Sequence, residues 1–280
     1  MNYEIKKDSE IVIYPGSDFK LEHIFDCGQV FRYRKDGDCY TLIAKNNICI
    51  LHEAHDYVII KTNNTEFFEN YFDLKRDYSK IKNELSKFDG LKESLEFGYG
   101  IRILNQDLFE MIISFIISAN NNIPRIKSII EKLCEGIGKK ENGFYAFPTA
   151  EEMSKQSVDF YKSIGAGYRA PYLLDTAKKI STGEFNLDAL KGMNTLDSRR
   201  ELLKLKGIGG KVADCIELFA LHNTDSFPVD TWSKRIYLAL GFKEEKTAEQ
   251  MTKNLVEHFG GLSGYAQQYL FYYYRANQIK

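Results

Sequence analysis

The chain has 280 residues, a formal net charge of −1, 44% hydrophobic residues and 28% charged residues. This length allows a sizeable core and two or three domains, and the composition is that of a soluble globular protein. The near-zero charge excludes a strongly basic coat but is compatible with a local basic face.

No segment indicates export or a membrane span. The N-terminal stretch MNYEIKKDSE lacks the apolar core of a secretory signal, and the longest apolar stretch, MIISFIIS at 111–118, is too short to cross a bilayer. The five cysteines form no CxxC pair, which indicates neither a disulfide framework nor a structural zinc site. We therefore expect a cytoplasmic protein, associated with the nucleoid if the source is prokaryotic.

Strand patterns dominate the first hundred residues. Short runs of β-branched and aromatic residues, separated in part by the turn sequences KDGD and KNN, predict an antiparallel sheet. The predicted strands cover residues 11–15, 29–34, 39–44, 47–53 and 57–62. A first helix is predicted from about residue 65 to 74.

Helical periodicity dominates from about residue 105 onward. TAEE at 149–152 and TAEQ at 247–250 have the form of the capping box that opens a helix. The predicted helices cover residues 107–118, 124–138, 168–182, 195–205, 211–222, 231–241 and 264–277. The fold class predicted is α+β, with an N-terminal antiparallel sheet followed by a mostly helical body.

The sequence LKGIGGKVADC at 205–215 predicts a tight hairpin between two helices. Gly207 and Gly209 allow positive φ and the close approach of another backbone, and Ile208 is expected to pack between the helices. The free amides at the start of the second helix form a seat for a phosphate group. The loop fits neither a P-loop nor a dinucleotide GxGxxG motif, because the spacing differs and no strand precedes it. A plain turn between packed helices is an equally good interpretation of the loop alone.

Two charged residues lie in or after this hairpin in the sequence. Lys211 opens the second helix, and Asp230 stands in FPVDTW just before another predicted helix. Taken alone, Lys211 is a surface or phosphate-binding lysine and Asp230 is an N-cap.

The segments LLKLKGIGGKVADCIELFAL and FPVDTWSKRIY together resemble the helix-hairpin-helix DNA glycosylases, and the lysine marks their bifunctional members. FDCGQVFRYR, SANNNIPRI, GAGYRAPY and GYAQQYLF occur in the order found in one branch, the 8-oxoguanine DNA glycosylases with apurinic-site lyase activity. The resemblance implies a TBP-like sheet domain with flanking helices over residues 1–98. A helical glycosylase body over 99–280 would follow it, with the helix-hairpin-helix at 195–222.

The resemblance implies that Lys211 attacks C1′ of the damaged nucleotide, forms a Schiff base and eliminates the 3′ phosphate. Only a neutral amine attacks, and we expect the helix N-terminus and desolvation to lower the pKa of Lys211. Asp230 would supply a fixed negative charge for the sugar cation. No cofactor or metal is required, although the family suggests a cation at the hairpin carbonyls of Leu203, Leu205 and Ile208.

The same resemblance assigns a pocket for a flipped base. The carbonyl of Gly28 would read the N7 hydrogen that 8-oxoguanine has and guanine lacks, and Gln267 would read the Watson–Crick edge. Cys215 and Phe271 would sandwich the base. Without the resemblance, Gly28 is an ordinary turn glycine and the others are core residues.

DNA contacts are implied at a second place. Asn120 would fill the gap left by the flipped base, Tyr168 would wedge the duplex open, and Arg125 and Arg169 would bond the estranged cytosine. The hairpin glycines Gly207 and Gly209 would approach the DNA backbone. The expected partner is double-stranded DNA with 8-oxoguanine opposite cytosine, and nothing indicates an oligomer.

Two positions depart from the family pattern. Trp232 stands where eukaryotic members have a histidine, and Tyr274 stands where they have an aspartate. Since those two family residues touch each other, both departures could belong to one repacked site that affects selectivity. The alternatives considered are a glycosylase for another oxidised or alkylated base and a non-catalytic helix-hairpin-helix DNA-binding protein.

Overall fold

The structure is a computed structural model that describes residues 2–6, 9–14, 18–54, 57–141 and 143–278. It contains an antiparallel sheet in the N-terminal part and a helical body after it, as predicted. Within the described residues no helix is both long and apolar enough to cross a membrane.

The main sheet has six antiparallel strands in the order β1-β2-β6-β5-β4-β3. Their bounds are β1 Tyr3–Lys6, β2 Glu10–Ile13, β3 Tyr33–Asp36, β4 Cys39–Ala44, β5 Asn47–Glu53 and β6 Val58–Thr62. A two-stranded hairpin, β7 Lys140–Glu141 and β8 Phe144–Tyr145, lies within the helical body.

Two predicted strands are found with the predicted bounds, namely β4 and β5, which pair from Cys39 opposite His52 to Ala44 opposite Asn47. Alternation of buried and partly exposed residues along β4 explains this success. The strand expected at 29–34 is wrong over most of its length, because the backbone becomes a strand only from residue 33. Pro15, the last residue of the strand expected at 11–15, lies outside the described residues.

Fifteen helices are found in the described part of the chain. They are α1 Leu21–Phe25, α2 Thr65–Tyr71, α3 Tyr78–Leu85, α4 Lys92–Phe97, α5 Leu108–Ser118, α6 Ile123–Ile137, α7 Ala150–Ser154, α8 Val158–Ser163, α9 Ala170–Ser181, α10 Leu187–Leu190, α11 Thr195–Leu202, α12 Gly210–Phe219, α13 Thr231–Ala239, α14 Ala248–Phe259 and α15 Ser263–Ala276. Thr149 and Glu152 form the reciprocal capping box predicted for α7, and Thr247 caps α14 through the amide of Gln250.

The apolar core forms two clusters. One lies against the sheet and holds residues such as Ile11, Leu42 and Leu51. The other fills the helical body, and it also takes Phe31 and Leu85 from the first hundred residues. Packing therefore crosses the expected boundary, and the division of the chain at residues 98 and 99 stays a prediction.

Candidate active site

A small cavity of about 50 Å³ lies at the beginning of α12. Five parts of the chain meet there, namely the loop after α1, α5, α12, the segment just before α13 and the middle of α15. The cavity brings together all six residues predicted for catalysis and base binding, which are Gly28, Lys211, Cys215, Asp230, Gln267 and Phe271. Its volume has room for a few water molecules rather than for a purine, so a base can enter only if the walls move.

Lys211 is the second residue of α12 and projects into this cavity. The residue is exposed as a whole, but its amine end is surrounded by protein, and Nζ lies 5.5 Å from the centre of the Phe115 ring. Cys215, one turn further along the same helix, is buried beside the amine and hydrogen-bonds with it. The nucleophile candidate and one wall of the base pocket therefore stand on one helix face.

The electrostatics at Lys211 differ from the expectation. The neighbouring Cys215 raises the pKa of Lys211 more than any other group, and Asp230 and Asp214 act in the same direction, while burial opposes them. The prediction of a lowered pKa is therefore wrong for the protein without DNA. Two carboxylates and a thiol lie close to one amine, and together they outweigh the effect of its burial. Lys211 therefore rests as an ammonium group in the protein without DNA, and a nucleophilic role would require it to lose a proton.

Asp230 is the N-cap of α13, and its cap uses one carboxylate oxygen. Oδ1 accepts hydrogen bonds from the backbone amides of Trp232 and Ser233, both at 2.9 Å, and from the Ser233 hydroxyl at 3.0 Å. Oδ2 makes no hydrogen bond within the described part of the chain, and Asp230 lines the cavity. One oxygen can thus hold the helix while the other faces the reaction site.

The base-binding candidates show unused hydrogen-bonding capacity. Gln267 is 5% exposed, and its Oε1 is buried with no hydrogen-bond partner. Gly28 has φ +84°, which favours glycine, and a Cβ there would lie 3.4 Å from the Phe271 ring. Since a buried polar atom without a partner is costly, the geometry is suited to a ligand that supplies the missing donor.

Five further residues line the cavity and were not predicted from the sequence. They are Cys27, Phe115, Phe219, Pro228 and Gln268. Phe115 and Phe219 belong to the apolar faces of α5 and α12, and their rings stack at 5.8 Å. No sequence signal separates them from ordinary core residues, because the same periodicity places both kinds of residue.

The hairpin between α11 and α12 has the predicted turn, with one correction. Gly207 has φ +87°, and a Cβ there would lie 2.7 Å from the Tyr172 ring. Gly209 does not adopt positive φ, because as the N-cap of α12 it takes an extended backbone with φ −98°. Ile208 is buried, as predicted. No side chain caps α12, so its first amides stay open to an anion.

The implied cation site lies on the same hairpin. The Leu205 carbonyl already accepts the Ile208 amide at 3.2 Å, which leaves it one lone pair for a cation. The site at Leu203, Leu205 and Ile208 stays a prediction. Among the residues that the structure describes, no group of three or more His, Cys, Asp or Glu side chains could hold a metal ion.

The predicted DNA-contact residues gather at the end of α5. Asn120 has φ +49° and is exposed, and Tyr168 is 56% exposed with its hydroxyl on the Ala119 carbonyl at 3.3 Å. Arg125 is exposed and reaches the Gly165 carbonyl at 3.4 Å. These three side chains are accessible to a duplex.

Arg169 differs from the other three because it points inward. It is 5% exposed, its Nε donates to the Ala119 carbonyl at 2.9 Å, and its Nη2 donates to the Asn120 carbonyl at 2.9 Å. Its guanidinium also lies 4.3 Å from the Tyr168 ring. In the protein without DNA, Arg169 therefore shapes the Asn120 loop, and its bond to a cytosine stays a prediction.

The two departures from the family pattern have separate neighbours. Arg235 stacks over the Trp232 ring at 4.8 Å, while Tyr274 packs against Tyr273 with ring centres 5.8 Å apart. The proposed single repacked site stays a prediction.

A larger cleft of about 700 Å³ lies between β3–β5 and α6. It includes Arg32, Tyr33 and Lys127 but none of the predicted site residues. The size of a cavity alone does not mark the active site, because it is the small cavity that holds the nucleophile candidate Lys211 and the unpaired Oε1 of Gln267.

Comparison with known proteins agrees with this geometry. Residues 113–260 match the family model of the HhH-GPD superfamily base excision DNA repair proteins. The chain therefore belongs to this superfamily. Residues 11–112 match the model of the 8-oxoguanine DNA glycosylase N-terminal domain.

Individual relatives support the same placement. The "Probable N-glycosylase/DNA lyase" of Methanothermobacter thermautotrophicus is 33% identical over 238 residues, covering 76% of each chain. The 8-oxoguanine glycosylase/lyase of Clostridium acetobutylicum, solved with double-stranded DNA containing cytosine opposite 8-oxoG, is 42% identical with TM-score 0.93 and covers 100% of this chain and 99% of that one. The 3-methyladenine DNA-glycosylase of Archaeoglobus fulgidus shares the fold, with TM-score 0.75 at 20% identity over the full length of both chains.

Proposed function

We propose that this protein is a bifunctional DNA glycosylase that excises 8-oxoguanine from duplex DNA, opposite cytosine, and then cleaves the strand as an apurinic-site lyase. The observation that carries the proposal is the single cavity that holds Lys211 and Asp230 together with Gly28, Cys215 and Gln267. A site that only binds phosphate needs neither the carboxylate of Asp230 nor the polar and stacking groups beside it.

Lys211 acts as the nucleophile in this proposal. Its neutral amine attacks C1′ of the flipped nucleotide, and the C1′–N9 bond breaks as its electron pair leaves with the base. Positive charge develops on the sugar during this step, and the Asp230 carboxylate stabilises it electrostatically. Loss of the amine proton and opening of the sugar ring give a Schiff base. Removal of a 2′ proton then breaks the C3′–O bond and releases the 3′ phosphate.

Base entry helps to activate Lys211. A purine between Cys215 and Phe271 separates the amine from the thiol that hydrogen-bonds with it in the empty site. It also displaces water, and desolvation disfavours an ammonium group. Both changes lower the pKa of Lys211 from its raised value in the protein without DNA, so the nucleophile is released by the substrate that it attacks.

The remaining site residues recognise the base and hold the bent duplex. The Gly28 carbonyl accepts the N7 hydrogen of 8-oxoguanine, and Gln267 pairs with the Watson–Crick edge. Asn120, Arg125 and Tyr168 hold the gap and the estranged cytosine, joined by Arg169 if the Asn120 loop moves. The hairpin turns at Gly207, and the open amides at the start of α12, after Gly209, bind the DNA backbone.

The first prediction tests the nucleophile. Duplexes with 8-oxoguanine opposite each normal base are incubated with the protein, and borohydride is added to reduce any Schiff base. We expect a covalent protein–DNA adduct that is absent from Lys211→Gln, while this variant still binds duplex DNA because the hairpin amides are intact. Absence of both adduct and strand cleavage with the unaltered protein contradicts the proposal. Reaction with alkylated or other oxidised bases, but not with 8-oxoguanine, supports a different lesion.

A further inference from the structure

The segment 26–29, between α1 and β3, carries Gly28 into the wall of the base cavity. Three of its four carbonyl groups accept hydrogen bonds from side chains of distant elements. The Gly28 carbonyl is the exception, since it accepts no hydrogen bond within the described part of the chain. The loop is therefore held on both sides of one free acceptor.

Helix α15 supplies the two contacts that precede Gly28. Arg275 donates through Nη2 to the carbonyl of Asp26, and Gln268 donates through Nε2 to the carbonyl of Cys27 at 2.8 Å. Gln268 is 1% exposed, so its bond is protected from water. A hydrogen bond from a guanidinium group is stronger than one between neutral groups.

The contact that follows Gly28 comes from the segment before α5. Gln106 donates through Nε2 to the carbonyl of Gln29 at 2.8 Å. The Gln29 side chain is fully buried and binds the backbone of Arg102 at 2.7 Å and Leu104 at 2.9 Å. The far side of the loop is thus fixed to the core independently of α15.

Helix α15 contributes side chains both to the cavity and to the loop at 26–29. Gln267 and Phe271, four residues apart, line the cavity, and Gln268 and Arg275, seven residues apart, bind the loop, with Gln268 also bordering the cavity. The Arg275 guanidinium also lies 5.1 Å from the Phe271 ring centre and 3.1 Å from the position of a Cβ on Gly28. One side chain therefore touches both the stacking wall and the reading wall of the cavity.

We propose that Arg275, assisted by Gln268, is a positioning residue for lesion recognition, because it aims the Gly28 carbonyl into the base cavity and holds the Phe271 ring opposite. This inference rests on the proposed function. A carbonyl discriminates between an N7–H donor and an N7 lone pair only if its direction is fixed, since a loose acceptor can turn away from the wrong base. Glycine at positive φ gives the loop little stiffness of its own.

Binding in a background without chemistry tests the inference. Lys211→Gln is combined with Arg275→Ala, and fluorescence anisotropy measures affinity for duplexes with 8-oxoguanine or guanine opposite cytosine. We expect the preference for 8-oxoguanine to fall roughly tenfold relative to Lys211→Gln alone, which corresponds to one weakened hydrogen bond. Arg275→Lys should keep part of the preference, because an ammonium group can still donate to the Asp26 carbonyl.

A matched control is Arg34→Ala in the same background. Arg34 is exposed and pairs with Glu131 outside the base cavity, so its removal should leave the preference as it was. A second experiment uses Arg275→Ala with Lys211 intact. The ratio of the rate of 8-oxoguanine excision to the rate of cleavage at a preformed abasic site should fall in this variant. A merely structural role lowers both rates together and leaves that ratio constant, which overturns the inference.

The outcomes separate the two proposals. If Lys211→Gln itself shows no preference for 8-oxoguanine, the proposed function fails. If it shows the preference and Arg275→Ala retains it in full, the proposed function stands and the positioning role of Arg275 is wrong.

Discussion

In the proposed mechanism, Asp230 combines a helix cap and a catalytic charge in one carboxylate. Its Oδ1 accepts all three hydrogen bonds of the α13 cap, and its Oδ2 is left for the cavity. An asparagine keeps one acceptor oxygen and the shape of the side chain but removes the charge. The two tasks can therefore be separated by substitution.

We predict that Asp230→Asn slows 8-oxoguanine excision roughly a hundredfold, because the charge that stabilises the sugar cation is lost. Its unfolding free energy should stay close to that of the unaltered protein, since the amide oxygen still caps α13. Asp230→Ala, the comparison variant, should also lose the cap, which lowers its unfolding free energy by about 1 kcal/mol. Single-turnover kinetics and urea unfolding measure the two effects, and a fully active Asp230→Asn would refute the electrostatic role.

At the scale of an element, α12 buries an unusual number of ionisable groups. Asp214 is 2% exposed and pairs with Nε of Arg199 from α11 at 2.6 Å, and Arg199 in turn binds Glu249 of α14 at 2.8 and 2.9 Å. These charged side chains join α11, α12 and α14 next to Gly210, the first residue of α12. Glu217, further along α12, is fully buried, and its Oε1 has no hydrogen-bond partner.

Glu217 gives the fold a pH dependence. Burial raises the pKa of Glu217 to about 7, against the opposing hydrogen bond from Asn223. Since the folded-state pKa lies above the unfolded value, the folded state binds the proton more tightly, and stability falls as pH rises from about 4.5 to 7. Glu217→Gln removes this loss of stability. We predict that the unfolding free energy of the variant rises by about 2 kcal/mol relative to that of the unaltered protein between pH 5 and pH 8.

Urea unfolding of both proteins at the two pH values checks this prediction. The control is Glu84→Gln, which removes an exposed carboxylate that pairs with Lys87 and leaves Glu217 in place, so its stability should fall with pH as in the unaltered protein. An equal pH dependence in Glu217→Gln and the unaltered protein would mean that Glu217 is not the group responsible.

At the scale of the whole molecule, Arg102 contacts segments that contribute residues to both core clusters. It is fully buried, and its guanidinium donates to the carbonyls of Phe72 at 2.9 Å, Asp18 at 3.1 Å and Arg76 at 3.0 Å. It also lies 4.0 Å from the centre of the Tyr78 ring. These carbonyls come from the loops around α1 and α2, so one planar donor fork connects the segment before α5 to these loops of the N-terminal part.

We predict that Arg102→Lys lowers the unfolding free energy by about 3 kcal/mol, because an ammonium group cannot reach the same carbonyls and leaves some of them buried without a donor. Urea unfolding measures the loss, with Arg34→Lys as an exposed arginine control. A loss as small as that of the control would show that the fork does not hold the two parts together.

The sequence predicts a structural feature of this protein well when the interactions that cause it lie close together in the chain. The strands β4 and β5 were predicted to the residue, because alternating burial and short turns act within about ten residues. The segment 29–32 misled the same reasoning, since its β-branched and aromatic residues pack into two different cores. The side chain of Gln29 fixes that segment through contacts more than seventy residues away.

The sequence by itself determined which chemical groups the candidate site contains. Lysine at the head of a helix after a glycine hairpin, aspartate before the next helix, and the motifs around Gly28 and Phe271 are read from residue types and their order. Tertiary structure alone decided how these groups act on one another. It raised the pKa of Lys211, turned Arg169 inward, and placed Arg275 on the carbonyl of Asp26 across 249 residues of chain. Charge, hydrogen bonding and burial depend on distance in space, and sequence patterns report only distance along the chain.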